Sequence, residues 1–258
     1  MENKKQLTVS VIQTELIWEN VDANLQQFTQ LLNNAAPADI YVLPEMFTTG
    51  FSMQPEKFAS ESHTKGLAWL KQTAANKNAA IIGSLMVDDE GKYFNRLFFV
   101  TPQQQVYTYD KKHLFSLGNE QNHYTAGTQL LLVDYLGWKI CPLVCYDLRF
   151  PAWARNSHNY DLLIYVANWP ERRAYHWRNL LVARAIENQT YVAACNRIGA
   201  DGSGVTHNGN SMLIDCSGQV IAESINASSV LTHTFSKEAQ QQYRASFPFL
   251  ADRDRFTF

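Results

Sequence analysis

The segment 138-WKICPLVCYDLRFP-151 joins an apolar run to two cysteines, an acid, a base and a proline. The run WKICPLV predicts a buried β-strand, and Pro151 predicts the first turn of a helix over residues 149–157. Cys141 then lies inside the strand, whereas Cys145 stands at the strand-to-helix turn, where the positive end of the helix favours a thiolate. Because free cysteine is also among the residues most often buried, this segment alone leaves Cys145 as either a nucleophile or a packing residue.

Short β-rich runs and longer amphipathic runs alternate along the whole chain. Strands are predicted over residues 7–13, 40–44, 79–87, 96–101, 105–110, 138–144, 161–169, 191–198, 211–216, 219–224 and 230–235, and helices over residues 22–34, 64–76, 149–157, 172–189 and 237–244. Two strand pairs separated by short turns read as hairpins, namely 96–101 with 105–110 and 211–216 with 219–224, so the sheets are expected to be mixed. No Pro/Gly/Ser-rich linker, charge block or repeat divides the chain, which predicts a single domain over residues 1–258 with interleaved α and β elements.

The composition narrows the class of partner. Hydrophobic residues make up 46% of the 258 residues and charged residues 18%, and the formal net charge is −2, which disfavours a disordered or nucleic-acid-binding protein. A small molecule or another protein is the expected partner. The start MENKK leads into LTVSVIQ without a signal-peptide segment, and no apolar run approaches the ~18 residues of a membrane span, so we expect a cytoplasmic protein without a membrane partner. The four cysteines in a chain of this length are expected to be thiols.

Charged residues follow two of the other predicted strands. Glu45 comes directly after the strand over residues 40–44, and Lys111 follows the strand over residues 105–110. If the carboxyl ends of parallel strands share one edge, Glu45, Cys145 and the pair Asn168-Trp169 converge there. Taken singly, Glu45 also fits a helix cap or an ion-pair partner, and Lys111 fits a solvated loop charge.

Three motifs in register carry a resemblance to a known family. The segments LPEMF (43–47), YDKKHLF (109–115) and LVCYDLRFP (143–151) occur in the order and spacing that resemble the nitrilase, or carbon–nitrogen hydrolase, superfamily. The resemblance spans nearly the whole chain, and the combination of LVCYDLRFP with VANWP and a later HW is similar to the bacterial omega-amidase branch, which hydrolyses 2-oxoglutaramate. It implies an α/β (α+β) fold, a four-layer αββα sandwich with two mixed β-sheets.

The resemblance also implies the catalytic residues. Cys145 matches the nucleophile, Glu45 the general base and Lys111 the third member of a Cys-Glu-Lys triad. Lys111 is chosen over Lys112 because the family's lysine stands two residues before the histidine of this motif, here His113.

Two further residues are expected around the triad. Glu120 matches a second acid that the family often places near the site. The backbone N–H of Tyr146 is expected to stabilise the oxyanion together with Lys111. Thioester chemistry on Cys145 needs no metal or organic cofactor, and Cys141 and Cys145 lack a second Cys or His pair at zinc-ligand spacing, so we expect none.

The loop NWPERRAYHW supplies candidates for substrate binding. A substrate with a distant carboxylate needs a basic group in the pocket wall, and Arg173, three residues before His176, fits the spacing of the branch. Arg172 is the alternative, and both arginines also fit exposed charges at a helix start. Trp169, Phe47 and Tyr146 are expected as apolar walls, with core packing as the other interpretation; Arg149 is expected to make internal polar contacts.

The resemblance therefore implies an omega-amidase that hydrolyses 2-oxoglutaramate, and similar omega-amides such as 2-oxosuccinamate, to the acid and ammonia. Another carbon–nitrogen hydrolase reaction stays open as an alternative: nitrile, N-carbamoyl or deaminated-glutathione hydrolysis. A non-catalytic binding module on the same fold is disfavoured because the triad is intact. A homodimer is expected by resemblance alone.

Overall fold

The computed structural model describes residues 3–254 as a succession of alternating strands and helices. The strands are β1 (Gln6–Gln13), β2 (Ile40–Val42), β3 (Ala80–Asp89), β4 (Lys92–Val100), β5 (Val106–Asp110), β6 (Val133–Tyr135), β7 (Trp138–Val144), β8 (Leu162–Ala167), β9 (Tyr191–Asn196), β10 (Ile198–Ala200), β11 (Thr206–Ile214), β12 (Val220–Ile225) and β13 (Ser229–Ser236). The α-helices are α1 (Val21–Asn34), α2 (Pro55–Lys77), α3 (Ala174–Asn188) and α4 (Lys237–Ser246).

The strands form two sheets. The first sheet has the order β13-β1-β2-β3-β4-β5, and the second has the order β10-β11-β9-β8-β7-β6 with β12 paired to β11. Pairing is parallel from β1 through β3 and from β7 through β9, and antiparallel at the other pairs. Both sheets are therefore mixed, and both predicted hairpins are confirmed as β4–β5 and β11–β12.

Alternation along the strands sets the layers. On β2, Ile40 and Val42 belong to the core between the two sheets, whereas Tyr41 faces the core beneath α1 and α2. On the far side, Leu181 and Ala185 of α3 join the core of the second sheet. The order of layers is helix, sheet, sheet, helix, which confirms the predicted four-layer sandwich.

The segment after β7 differs from the prediction. A 3₁₀ helix (Cys145–Arg149) follows β7 directly, and turns follow it where the helix over residues 149–157 was expected. The Asp147 side chain accepts a hydrogen bond from the N–H of Val144 at 3.1 Å, and the Asp147 carbonyl accepts one from Phe150 at 3.0 Å, which closes tight turns. The prediction of an α-helix over residues 149–157 is therefore wrong. The expectation that the dipole of this helix favours a thiolate at Cys145 is wrong with it.

Other boundaries also shift. The helix predicted over residues 64–76 begins at Pro55, which occupies its first turn. The short strands β6 and β10 were not predicted as separate elements. Among the residues the structure describes, no helix has the length and apolar character needed to cross a membrane.

Candidate active site

The site forms where the carboxyl ends of strands from both sheets meet. Cys145 follows β7 directly, Asn168 follows β8 directly, and Glu45 lies a short turn beyond β2. The N–H of Asn168 donates to Glu45 Oε2 at 2.8 Å, and its Nδ2 donates to the Glu45 carbonyl at 2.6 Å. The predicted convergence is confirmed, but it joins two facing sheets rather than running along one edge, because β2 and β7 belong to different sheets.

Cys145 occupies a constrained backbone position. Its φ is +44°, in the left-handed region that side chains with a Cβ seldom adopt. Such conformations typically cost about 1–3 kcal/mol and cluster at functional sites. The residue is 8% exposed, so the thiol is largely shielded from solvent.

A buried charged cluster lies beside the thiol. Lys111 Nζ donates to Glu45 Oε1 at 2.9 Å and to both oxygens of Glu120, at 3.0 Å and 2.9 Å. Asn95 Nδ2 donates to Glu45 Oε1 at 2.8 Å and to Glu120 Oε1 at 3.2 Å. All four residues are fully buried. The structure thus brings together the three predicted triad residues and Glu120, and it adds Asn95, whose position inside β4 gave no signal in the sequence.

The cluster holds two carboxyl groups and one ammonium. Burial lowers the pKa of Lys111, but the carboxylates of Glu120 and Glu45 outweigh that effect, and the net pKa is raised above the usual value. Lys111 is therefore a fixed cation. Burial raises the pKa of Glu120, Lys111 acts in the opposite direction, and Glu45 raises it further. Burial and Glu45 together raise the proton affinity of Glu120, whose two oxygens accept hydrogen bonds from Lys111, Asn95 and the N–H of Phe115.

The thiol of Cys145 rests in its neutral form. Burial raises its pKa well above the usual value, and the negative charge of Glu45 adds to the effect, while Lys111 and the N–H of Asn168 oppose it. A neutral thiol needs a base at the moment of attack, and Glu45 is the carboxylate in contact with it.

A cavity of about 200 Å³ opens from this cluster to the surface. Its base contains Glu45, Lys111, Cys145 and Asn168, and its aromatic walls include Phe51, Phe115, Tyr146 and Trp169. The predicted wall residues Tyr146 and Trp169 are therefore placed at the cavity, whereas the prediction for Phe47 is wrong. The Phe47 ring packs between Phe28 and Trp69, with centroid distances of 5.5 Å and 5.7 Å, in the core beneath α1 and α2.

Three arginines stand at the cavity: Arg149, Arg172 and Arg173. The guanidinium of Arg173 lies 5.0 Å from the Phe115 ring centroid, and that of Arg149 lies 4.9 Å from the Trp169 ring centroid. Within residues 3–254, none of the three is in an ion pair with a carboxylate. Burial and then the neighbouring Arg172 lower the pKa of Arg173. These guanidinium groups are therefore without a carboxylate partner in the part of the chain that the structure describes. Arg149 makes an internal contact, as expected, because its Nη2 donates to His176 Nδ1 at 3.1 Å, but it also lines the cavity.

A family model described as carbon–nitrogen hydrolase matches residues 8–245 of the chain. The chain belongs to the carbon–nitrogen hydrolase family. It is accordingly a hydrolase that acts on carbon–nitrogen bonds other than peptide bonds.

Similar proteins cover nearly all of this carbon–nitrogen hydrolase. It is 43% identical over 251 residues to the omega-amidase YafV of Yersinia enterocolitica, covering 97% of this chain and 98% of the relative. It is 32% identical over 251 residues to the 2-oxoglutaramate amidase of Bacillus subtilis, covering 95% of this chain and 96% of the relative. A crystal structure of a carbon–nitrogen hydrolase superfamily protein from Xanthomonas campestris, with an arsenic adduct in its active site, superposes with a TM-score of 0.94 at 40% identity, covering 99% of this chain and all of that one.

The donor set around the thiol is suited to acid–base and nucleophilic chemistry. Within the described part of the chain, no group of three or more His, Cys, Asp or Glu side chains is arranged to hold a metal ion. The expectation that the reaction needs no metal or cofactor stays a prediction.

Proposed function

We propose that this carbon–nitrogen hydrolase is an omega-amidase that hydrolyses the terminal amide of 2-oxoglutaramate, and of similar omega-amides such as 2-oxosuccinamate, to the acid and ammonia. The observation that carries the proposal is the buried cluster of Cys145, Glu45, Lys111 and Glu120 at the base of a cavity whose walls hold unpaired arginines. The names of the two relatives, omega-amidase and 2-oxoglutaramate amidase, support the same substrate class.

Acylation begins with the neutral thiol of Cys145. Glu45 takes the thiol proton as sulfur attacks the amide carbonyl, because an amide is too poor an electrophile for a thiol. Glu45 then passes that proton to the amide nitrogen as the carbon–nitrogen bond breaks. Ammonia leaves, and the acyl group remains on Cys145 as a thioester.

Attack places negative charge on the carbonyl oxygen. Lys111 is a fixed cation beside the thiol, and the N–H of Tyr146 lies in the first turn of the 3₁₀ helix, where no intrahelical acceptor is available. These two donors stabilise the oxyanion in a site shielded from solvent. Loss of one such donor typically lowers the rate by about 10²–10³.

Deacylation reuses the same groups. Once ammonia has left, water takes its place beside the thioester, and Glu45 removes a proton from it as it attacks. The carbon–sulfur bond then breaks, and the sulfur of Cys145 recovers the proton from Glu45. The thiol is restored, and the hydrolysis consumes one water for each amide.

The arginines account for the acid end of the substrate. A guanidinium whose face is covered by an aromatic ring keeps its N–H edge free for bidentate contact with a carboxylate. Arg173 lies over Phe115 and Arg149 lies over Trp169, but the Nη2 of Arg149 already donates to His176 Nδ1 at 3.1 Å. We assign the substrate carboxylate to Arg173.

A substrate panel tests the proposed function. Ammonia release is measured from 2-oxoglutaramate, a short-chain nitrile, an N-carbamoyl amino acid and deaminated glutathione at equal concentrations. We expect the highest kcat/KM for 2-oxoglutaramate. A higher kcat/KM for any of the other three compounds would contradict 2-oxoglutaramate as the substrate, while the family assignment would stand.

The role of Arg173 is tested by Arg173→Ala with Arg172→Ala as the matched control, since the two arginines are adjacent and both line the cavity. Arg173→Ala is expected to raise the KM for 2-oxoglutaramate by about tenfold to a hundredfold, because a charge-assisted contact worth ~1.5–3 kcal/mol is lost. Arg172→Ala is expected to change the KM less than threefold, a change worth under ~0.7 kcal/mol. An unchanged KM in Arg173→Ala would remove Arg173 as the carboxylate ligand.

A further inference from the structure

The carboxylate of Asp147 collects four hydrogen bonds without touching the cavity. Its Oδ1 accepts from the N–H of His113 at 2.9 Å and from the His113 ring Nδ1 at 2.8 Å. Its Oδ2 accepts from the Tyr109 hydroxyl at 2.8 Å and from the N–H of Val144 at 3.1 Å. Asp147 is fully buried.

The residues that donate these hydrogen bonds flank Lys111 and Cys145 in the sequence. Tyr109 and His113 stand two positions before and two positions after Lys111, and Val144 directly precedes Cys145. One buried carboxylate thus connects the chain on both sides of the lysine to the chain that enters the nucleophile turn. We propose that Asp147 is a positioning residue that holds Lys111 and Cys145 in the mutual register required for amide hydrolysis.

Only a carboxylate fits these four donors. An ionised aspartate offers acceptor sites on both oxygens, whereas an asparagine of the same shape replaces one oxygen by an NH₂ donor that would face two other donors. The phenol of Tyr109 stays protonated and able to donate, because burial, and then the Asp147 charge, raise its pKa well above the usual value. The Tyr109 hydroxyl also accepts a hydrogen bond from the N–H of Lys112 at 3.2 Å, so the segment that carries Lys111 is linked to Asp147 through Tyr109 as well.

The proposal rests on the proposed amidase activity, and it predicts a specific kinetic effect. A displacement of about 1 Å between reacting groups can lower a rate by about 10². Asp147→Asn is expected to lower kcat by about a hundredfold for that reason, while KM changes less than about threefold because the arginines at the cavity are untouched.

A second variant and a control separate positioning from folding. His113→Phe keeps the stack of the ring on Phe150, now at 3.7 Å and 6°, and removes only the Nδ1 hydrogen bond at a side chain that is 21% exposed. It is expected to lower kcat by about tenfold, the equivalent of one charge-assisted hydrogen bond.

Asp161→Asn is the matched control, since Asp161 is a buried aspartate with several donors at the opposite end of β8. It is expected to lower stability and leave kcat unchanged.

Alkylation of Cys145 by iodoacetamide, followed across pH by peptide mass mapping, gives a readout that needs no substrate. Asp147→Asn removes a negative charge, which by itself would favour the thiolate and speed the reaction. Lost positioning of Lys111 raises the pKa of the thiol and slows it, by about tenfold for one pKa unit. Slower alkylation in Asp147→Asn therefore supports positioning.

Either of two results overturns the proposal: an unchanged kcat in folded Asp147→Asn or in His113→Phe, or alkylation of Asp147→Asn as fast as, or faster than, in the native protein. If Asp147→Asn does not fold, His113→Phe decides alone. If the native protein hydrolyses no amide, the proposed function fails, and the alkylation of both variants still decides the positioning role of Asp147.

Discussion

Two ionic clusters, one fully buried and one partly exposed, adjoin opposite ends of β8, and their charges are out of balance in opposite directions. The cavity cluster, formed by Glu45, Lys111 and Glu120, has two carboxyl groups around one ammonium and no exposure to solvent. The helix cluster, formed by Asp161, Lys237 and Arg244, has one carboxylate between two cations.

The difference lies in how each imbalance is relieved. In the helix cluster, the side chains of Lys237 and Arg244 are 27% and 19% exposed, so water solvates the excess charge, and Asp161 fixes α4 to the start of β8. In the cavity cluster the three side chains have no solvent exposure, so the imbalance appears as a raised pKa of Glu120. The partly solvated cluster therefore fixes α4 to the second sheet, whereas the buried cluster raises the proton affinity of Glu120 and fixes Lys111 beside the thiol.

Substitution of the two lysines gives the largest expected contrast. Lys111→Met leaves two carboxyl groups buried without a cation, which is expected to lower the free energy of unfolding by about 3–5 kcal/mol and to lower kcat by at least about 10², since an oxyanion donor is also lost. Lys237→Met is expected to cost at most about 1 kcal/mol, because Arg244 still pairs with Asp161 and the site is partly solvated. Urea unfolding and ammonia release measure both effects, and equal losses of stability in the two variants would contradict the contrast.

Glu120→Gln tests the raised pKa of Glu120 through the pH dependence of the free energy of unfolding. A raised folded-state pKa means that the folded state keeps a proton which the unfolded state releases above its ordinary value of 4.5. The contribution of Glu120 to stability is therefore full below that pH and decreases as the pH rises, by up to about 1.4 kcal/mol for each pH unit. The stability of the native protein relative to Glu120→Gln should fall between pH 4.5 and the higher folded-state pKa, as measured by urea unfolding over that range.

The same variant is expected to lower kcat by about tenfold to a hundredfold, because Glu120 fixes Lys111 through two hydrogen bonds. A stability difference that stays constant with pH would show that Glu120 is ionised in both states. That result would mean that burial in the cavity cluster does not raise the proton affinity of Glu120.

Asp161→Ala is expected to have the smallest effect on kcat. It removes the helix-cluster carboxylate, while Lys237 and Arg244 keep their hydrogen bonds to main-chain carbonyls. It is expected to lower the free energy of unfolding by about 1–3 kcal/mol. Its kcat should stay within twofold of the native value, a change of under about 0.5 kcal/mol in the barrier. A large loss of kcat would show that the two ends of the sheet are coupled.

Much of the fold was predictable because its strands alternate regularly. The strand over residues 138–144 was predicted with its observed bounds, and the predicted hairpins form. The helix predicted after Cys145 was wrong because side-chain hydrogen bonds to Asp147 close turns that propensity cannot anticipate. The early start of α2 at Pro55 was missed because its first turns are polar and lack a clear apolar period.

The residues of the site were also predictable only in part. Glu45, Lys111, Glu120 and Cys145 were located through motif resemblance, and the structure brings them together. Asn95 could not be found because its neighbours in β4 give it no distinguishing pattern. Phe47 was misplaced because its neighbour Met46 has a φ of +44°, and the Phe47 ring packs against Gly83, under the helices and away from the cavity.

The most direct test of the central claim compares ammonia release from 2-oxoglutaramate by the native protein and by Cys145→Ala. The account predicts turnover by the native protein and none above background by a folded Cys145→Ala, because the thiol forms the acyl-enzyme bond. Turnover that survives in Cys145→Ala would contradict the thioester mechanism and the assignment of the nucleophile.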